Sequence, residues 1–292
     1  MIKKGIILAG GMGSRVGPST KAISKQLIPI ADKPIIFYSL SILMLLDIKD
    51  ILIIIKPTDK PSYKKLLGDG KSFGIKITYK EQNKPRGLPD AFILGKKFIA
   101  NKSVVLILGD NFFHGQSLVE LLKDSSKKFD SGANIFSYNV KNPQDYGVIE
   151  NFKNKIKIIE KPKTTRSKKA ITGLYFFDKN VCKLSSKLKF SKRGELEIID
   201  LLKFYLKLNK LTISELGRGS AWLDTGTSKD ILKASNYVEV LQDRQNQKIG
   251  CLEEIAFTKK WIDKNMLKTR IKFYGKNEYS NYLSNLLNEL IW

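Results

Sequence analysis

Lys4-Gly5-Ile6-Ile7-Leu8-Ala9-Gly10-Gly11-Met12-Gly13-Ser14-Arg15 runs from a short apolar segment into a glycine-rich turn that ends on a cation. An apolar run this short, closed by glycines, predicts a buried strand with a turn at its carboxyl end. Glycines in such a turn let the backbone approach a ligand closely and leave N–H groups free to face phosphate oxygens. Arg15 adds a planar fork of donors suited to phosphate. Taken alone, the cluster reads first as an ordinary tight strand-to-helix turn. It is not a P-loop, because no Gly-Lys-Ser/Thr closes it. Nor is it the dinucleotide fingerprint: Gly11-x-Gly13 is followed by Val16, and the next apolar strand ends in Lys56 rather than an acid.

Working outward, the same alternation repeats. Asp32-Lys33-Pro34 reads as an acidic cap with an early proline, opening a helix over Ile35 to Leu46. Buried strands are expected at Asp50 to Ile55 and Ser103 to Leu108, an alternating strand at Ile75 to Lys80 and a further strand at Ala133 to Val140. Helices are expected at Lys60 to Leu67, Leu88 to Phe98 and Ser117 to Phe129. This spacing predicts an α/β fold with a doubly wound, mostly parallel, Rossmann-like sheet. Beyond Tyr146 the strands shorten: Val148 to Asn151, Lys155 to Ile159, Ile171 to Phe177, Lys210 to Leu216 and Ala221 to Leu223. Glu195 to Leu208 reads as a helix, and Thr227 with Asp230 reads as a capping box for a helix reaching about Gln247. From Cys251 only helical patterns remain. The expected organisation is therefore a main domain over 1–250, divided near 140 into a nucleotide-binding part and a smaller mixed part, with a helical appendage over 251–292.

The chain has 292 residues, 42% of them hydrophobic, enough for a sizeable core. No apolar stretch reaches the ~18 residues of a membrane span. The N-terminal run meets glycine too soon for a signal peptide. Two distant cysteines argue against a disulfide scaffold or a zinc site, and a reducing cytoplasm is the expected compartment. The net charge of +24 raises nucleic-acid binding as a competing function class. The lysines, however, are scattered in pairs along the chain, as on a solvated surface, with no basic arm and no aromatic-interleaved basic block. The positive field favours anionic small molecules.

Ser24-Lys25-Gln26-Leu27-Ile28-Pro29 falls between the first strand and first helix, at the edge of the sheet where open α/β folds bind ligands. Arg15 and Lys25 could thus converge on one polyphosphate. Asp110, after the Ser103–Leu108 strand, and Asp224, after Ala221-Trp222-Leu223, are two isolated acids at strand ends. Each could simply cap a turn, but together they would suit Mg²⁺, which takes one or two carboxylates plus substrate phosphates. Lys25 and Asp224 are both expected outside the core.

Leu8-Ala-Gly-Gly-x-Gly-Ser-Arg15 followed by Ser24-Lys-Gln-Leu-Ile-Pro29 resembles the signature of the sugar-1-phosphate nucleotidylyltransferases, and most nearly the bacterial glucose-1-phosphate thymidylyltransferases among them. The resemblance continues through Gly109-Asp-Asn111, Tyr146-Gly-Val148, Glu160-Lys-Pro162, Thr172-Gly-Leu-Tyr175, Arg193-Gly-Glu-Leu-Glu197 and Ala221-Trp-Leu-Asp-Thr-Gly226. It implies an enzyme of nucleotide-sugar biosynthesis, of the kind that feeds dTDP-rhamnose and polysaccharide synthesis. The implied reaction joins dTTP to α-D-glucose 1-phosphate and releases pyrophosphate. UTP or another sugar 1-phosphate is the near alternative, and an inactive regulatory homologue a more distant one.

By the same resemblance, Arg15, Lys25, Asp110, Lys161 and Asp224 are the catalytic set, with Asp110 and Asp224 holding Mg²⁺. Leu8, Gly10, Gly11, Gly13, Ser14, Arg15, Lys25, Gln26, Gln82, Gly87, Leu88 and Asp110 are the expected nucleotide contacts. Asn111, Gly147, Glu160, Lys161, Thr172 and Tyr175 are the expected sugar-phosphate contacts. The Gln82 amide offers an acceptor and a donor to the N3–H and O4 edge of thymine or uracil. Arg86 stands where an acid is expected and Pro89 where proline is not. The resemblance also implies a homotetramer with a regulatory site involving His114-Gly115, Arg218-Gly219 and Cys251 to Phe257, with His114 in place of an expected tyrosine.

Overall fold

The computed structural model describes residues 2–152 and 155–288. Its strands are β1 Lys4–Leu8, β2 Pro29–Ile30, β3 Lys33–Pro34, β4 Asp50–Ile55, β5 Lys76–Glu81, β6 Val104–Leu108, β7 Asn111–Gly115, β8 Ala133–Asn139, β9 Gly147–Phe152, β10 Lys155–Glu160, β11 Lys169–Phe177, β12 Leu211–Glu215 and β13 Ser220–Asp224. Nine of them form one sheet in the order β10-β9-β11-β6-β1-β4-β5, with β8 on β11 and β12 on β8. β5, β4, β1 and β6 run parallel, as their apolar runs predict; β11 and β10 alone run against the rest of the sheet. The mostly parallel doubly wound reading therefore holds.

The central strands are apolar on both faces because helices cover both. One layer gathers Ile7, Ile53, Val105 and Ile107 with the helix Ile35–Leu45 and with Leu252, Ala256, Leu267 and Leu283 of the last helices. The other gathers Ile6, Leu52, Leu106 and Phe177 with Phe92 and the helix Ile198–Lys207. The helices after Cys251 thus share the first core. Among the described residues no helix is long and apolar enough to cross a membrane.

Three local readings need correction. The expected Leu88–Phe98 helix is two short ones, Asp90–Leu94 and Lys96–Ile99, because the backbone leaves helical geometry at Gly95, at φ −85° and ψ 4°, which ends the first and opens the second. Asp32 caps no helix: the chain forms a β2–β3 hairpin over Ala31 at φ 52°, and Pro34 precedes the helix. Asp32 instead pairs with Lys33 and Lys248, at 2.5 and 2.7 Å. Finally, Asn111–Gly115 was not expected as a strand, yet it forms β7 and pairs with β13 in a separate antiparallel ladder. Thr227 does cap its helix, accepting from the Asp230 amide at 3.2 Å.

Candidate active site

The β7–β13 ladder decides where the two acids sit. Its last pair sets Asp224 opposite Asn111. Just beyond, Thr225 donates to the Asp110 carbonyl through its hydroxyl at 2.7 Å and its amide at 3.2 Å. Asp110 and Asp224 are thereby neighbours at the carboxyl end of β6. Burial first, and the adjacent Asp110 second, push the Asp224 carboxyl up to about 6, while Lys25 and Arg15 oppose the shift. Two mutually repelling carboxylates in one place are the donor set a hard divalent cation takes. Among the described residues no larger group of His, Cys, Asp and Glu is disposed to hold a metal. The pair therefore fits a divalent ion.

Two cations flank the acids. Lys25 forms an ion pair with Asp110. Contrary to the sequence expectation Lys25 is buried, at 6% exposure, because a lysine this close to two acids is compensated inside the protein. Arg15 lies exposed after the glycine turn, and its guanidinium packs against Gly226: a Cβ there would lie 3.0 Å from Arg15 Nη2 and 3.4 Å from Asp224 Oδ2. Gly226 is thus small so that Arg15 can reach the Asp224 side of the cleft. The turn itself is held by Gly13 at φ 62°, a left-handed conformation natural to glycine, with Thr20 donating to the Gly13 carbonyl at 2.9 Å.

Asn111 organises the acids. It is 2% exposed, its Oδ1 accepts from Trp222 Nε1 at 2.7 Å and from the Gly173 amide at 3.1 Å, and its Nδ2 donates to Asp110 at 3.1 Å. Gly173 is free to donate because β11 changes register between Ile171 and Tyr175.

A second group lies toward β9 and β10. Glu160 and Lys161 border a cleft of about 450 Å³ with Arg193 and Glu197. Burial first, then Glu197, raise the Glu160 carboxyl, with Lys161 and Arg193 opposing. Lys161 sits at φ 40°, a left-handed conformation rare outside glycine and concentrated at functional sites. Its amide donates to the Tyr146 carbonyl at 3.1 Å. Tyr146 packs on Trp222 at 5.1 Å, and its hydroxyl is pushed up to about 12 by burial and then by Asp224. Tyr146 therefore joins the Glu160–Lys161 side to the acid pair.

The nucleotidyl transferase family model matches residues 4–240 of this chain. The chain belongs to the nucleotidyl transferase family. A glucose-1-phosphate thymidylyltransferase from Neisseria meningitidis is 48% identical over 98% of this chain and all of its own length. One from Mycolicibacterium smegmatis is 45% identical over 98% of this chain and 99% of its own. Among solved structures, a UDP-glucose pyrophosphorylase complexed with UDP-glucose superposes with a TM-score of 0.72 at 25% identity, over 82% of this chain and all of its own.

In this nucleotidyl transferase the remaining expected residues divide by burial. Gly10 faces Gln82, whose Oε1 would lie 2.6 Å from a Cβ at that position, so the glycine turn and the candidate base reader meet. Gly11 and Ser14 are exposed on the same turn. Leu8 is tied into the sheet by its carbonyl, which accepts from Gly109 at 2.9 Å. Gln26 is buried and its Oε1 accepts from Ser24 at 2.9 Å. Gly87, at φ 93°, lies against the Leu196 backbone, followed by partly buried Leu88. Thr172 is fully buried and donates to the Phe136 carbonyl at 2.9 Å, and Tyr175 is buried in the second core. Gly147 lies within 3.4 Å of Glu160 Oε2 by the same Cβ measure.

The sequence reading overlooked Trp222, Thr225, Gly226 and Tyr146, although each stands inside a quoted motif. Their signal was proximity to an acid or a glycine in the chain. His114 lies outside this cluster: it packs on Tyr237 at 6.0 Å, burial lowers its pKa, and with Gly115 and Cys251 it borders a separate cavity of about 340 Å³.

Proposed function

We propose that the protein condenses dTTP with α-D-glucose 1-phosphate to dTDP-glucose and pyrophosphate. The observation that carries this reading is the meeting of Asp110, Asp224, Lys25 and Arg15 beside the Gly10–Gly13 turn. The near-full-length similarity to glucose-1-phosphate thymidylyltransferases supports the choice of substrates.

The sugar phosphate is its own nucleophile. Its second pKa is about 6, so at neutral pH it is already ionised and needs no general base. The barrier is the approach of two anions in line, which fixed positive charge lowers. Arg15 and the glycine-turn amides bind the triphosphate and take up charge on the departing pyrophosphate. Lys25, held by Asp110, faces the reacting phosphates. Glu160 accepts from glucose hydroxyls and Lys161 holds the sugar phosphate. Gln82 reads the base. Mg²⁺, held by Asp110 and Asp224, would neutralise phosphate charge when bound. The reading further gives a homotetramer in the cytoplasm, where the two free cysteines stay reduced.

Pyrophosphate release should require nucleotide, glucose 1-phosphate and Mg²⁺ together. A comparison of dTTP, UTP, CTP and GTP tests the substrate, with dTTP expected to be fastest. The second reading, UTP, is favoured by the UDP-glucose pyrophosphorylase likeness and by a Gln82 amide that meets thymine and uracil alike.

A further inference from the structure

Gln82 is 5% exposed, so the orientation of its amide is fixed by what surrounds it. Its Nε2 donates to Asp90 Oδ2 at 2.8 Å, and its Oε1 is turned to Gly10. Asp90 is 1% exposed and its other oxygen accepts from Arg86 at 2.6 Å. Arg86, four residues earlier, is about half exposed and closes the carboxylate from the solvent side.

We propose that Asp90 is a positioning residue for base selection, locking the Gln82 amide so that its oxygen always faces the nucleotide base. This rests on the nucleotidyl-transfer reading. A carboxylate can only accept. Were the Gln82 amide to flip, its oxygen would face the Asp90 oxygen at hydrogen-bond distance, two acceptors against each other in a buried setting, which is costly. One orientation is left. Oε1 then meets an N–H on the ring and rejects a ring nitrogen that can only accept. Thymine and uracil carry the N–H; cytosine presents the acceptor. A free amide could flip to suit either base, so Gln82 alone confers no such choice. Arg86 and Asp90 together supply it, in a loop where an acid was expected at position 86.

The test is Asp90→Asn, an isosteric change whose amide can accept or donate and so releases Gln82, with Asp90→Leu as a second variant that removes the acceptor altogether. Two measurements are made on full-length protein: equilibrium binding of dTTP and dCTP, and kcat/KM for each with glucose 1-phosphate. The preference for dTTP over dCTP should fall roughly tenfold in both variants, because a buried polar site discriminates strongly only while its partners are fixed. An unchanged ratio in a folded variant overturns the proposal, since a merely structural acid would weaken both nucleotides alike. If the wild-type protein binds dTTP but transfers nothing to glucose 1-phosphate, the reaction reading fails while the binding ratio still decides the role of Asp90. If it binds neither nucleotide, both readings fall.

Discussion

Asp224 stands directly across from Asn111 in the β7–β13 ladder, and Asn111 in turn holds Asp110 through its amide at 3.1 Å. One short antiparallel pairing therefore carries two acids, far apart in sequence, into a single cleft. Four groups from four segments depend on it: the acids themselves, Lys25 paired to Asp110, and Arg15 against Gly226.

Asp224→Asn should abolish pyrophosphate release, by at least about a hundredfold in kcat, as loss of a preorganised charge does. The folded protein should not suffer. Burial and Asp110 both disfavour the Asp224 charge, so removing it should raise stability without divalent ion, on the order of 1 kcal/mol. Thermal unfolding in chelator, beside the activity assay, checks both. A variant that keeps wild-type turnover would reject the role of Asp224.

Lys25→Met should lose turnover and stability together. The lysine is nearly buried and its partner Asp110 is 20% exposed, so removing the cation leaves two acids uncompensated. Loss of one partner from such a pair costs about 3 kcal/mol. The urea midpoint should drop with an unchanged slope. Addition of divalent ion should recover part of the loss if the two acids hold it.

The parallel strands were legible because each is an apolar run closed by glycine or a charged residue, as in Ile6–Leu8 and Val104–Leu108. The capping box at Thr227 was legible because its partners are three residues apart. β7 was not. Asn111 to Gly115 follows β6 after two residues and carries no alternation of its own, so locally it reads as a turn. Only its pairing with β13 makes it a strand, and the Thr225–Asp110 contact spans 115 positions. The burial of Lys25 has the same origin: a lysine reads as surface until its distant acid is known. The chemical types of the site were visible in the sequence, whereas their meeting, and the Asp90 contact that orients Gln82, required the fold.

Gly173→Ala should disturb the acids without touching them. A Cβ at 173 would press on Asn111 Oδ1, which already accepts from the Gly173 amide and Trp222. Asn111 must then move and release Asp110. Stability should fall by about 2 kcal/mol, as overpacking of a buried site does. kcat should fall more than the affinity for dTTP. Equal effects on both would mean that Asn111 serves the fold alone.

Asp32 gives a test of acid stability away from the site. Burial would raise its pKa, but Lys33 and Lys248 outweigh that and hold it below its ordinary value. A carboxyl lowered by folding contributes stability above its unfolded value near 3.8, and loses it as pH falls through the folded value. Asp32→Asn should therefore cost about 3 kcal/mol at pH 7, since Lys33 remains buried without a carboxylate, keeping only neutral partners such as Gln242 at 3.0 Å and the Tyr38 ring at 5.1 Å. The gap between wild type and variant should stay constant from pH 7 to about pH 5 and close only below about pH 4. Thermal melts across that range measure it. A gap that narrows already at pH 6 would show that some other group, and not Asp32, sets the acid limit of this hairpin.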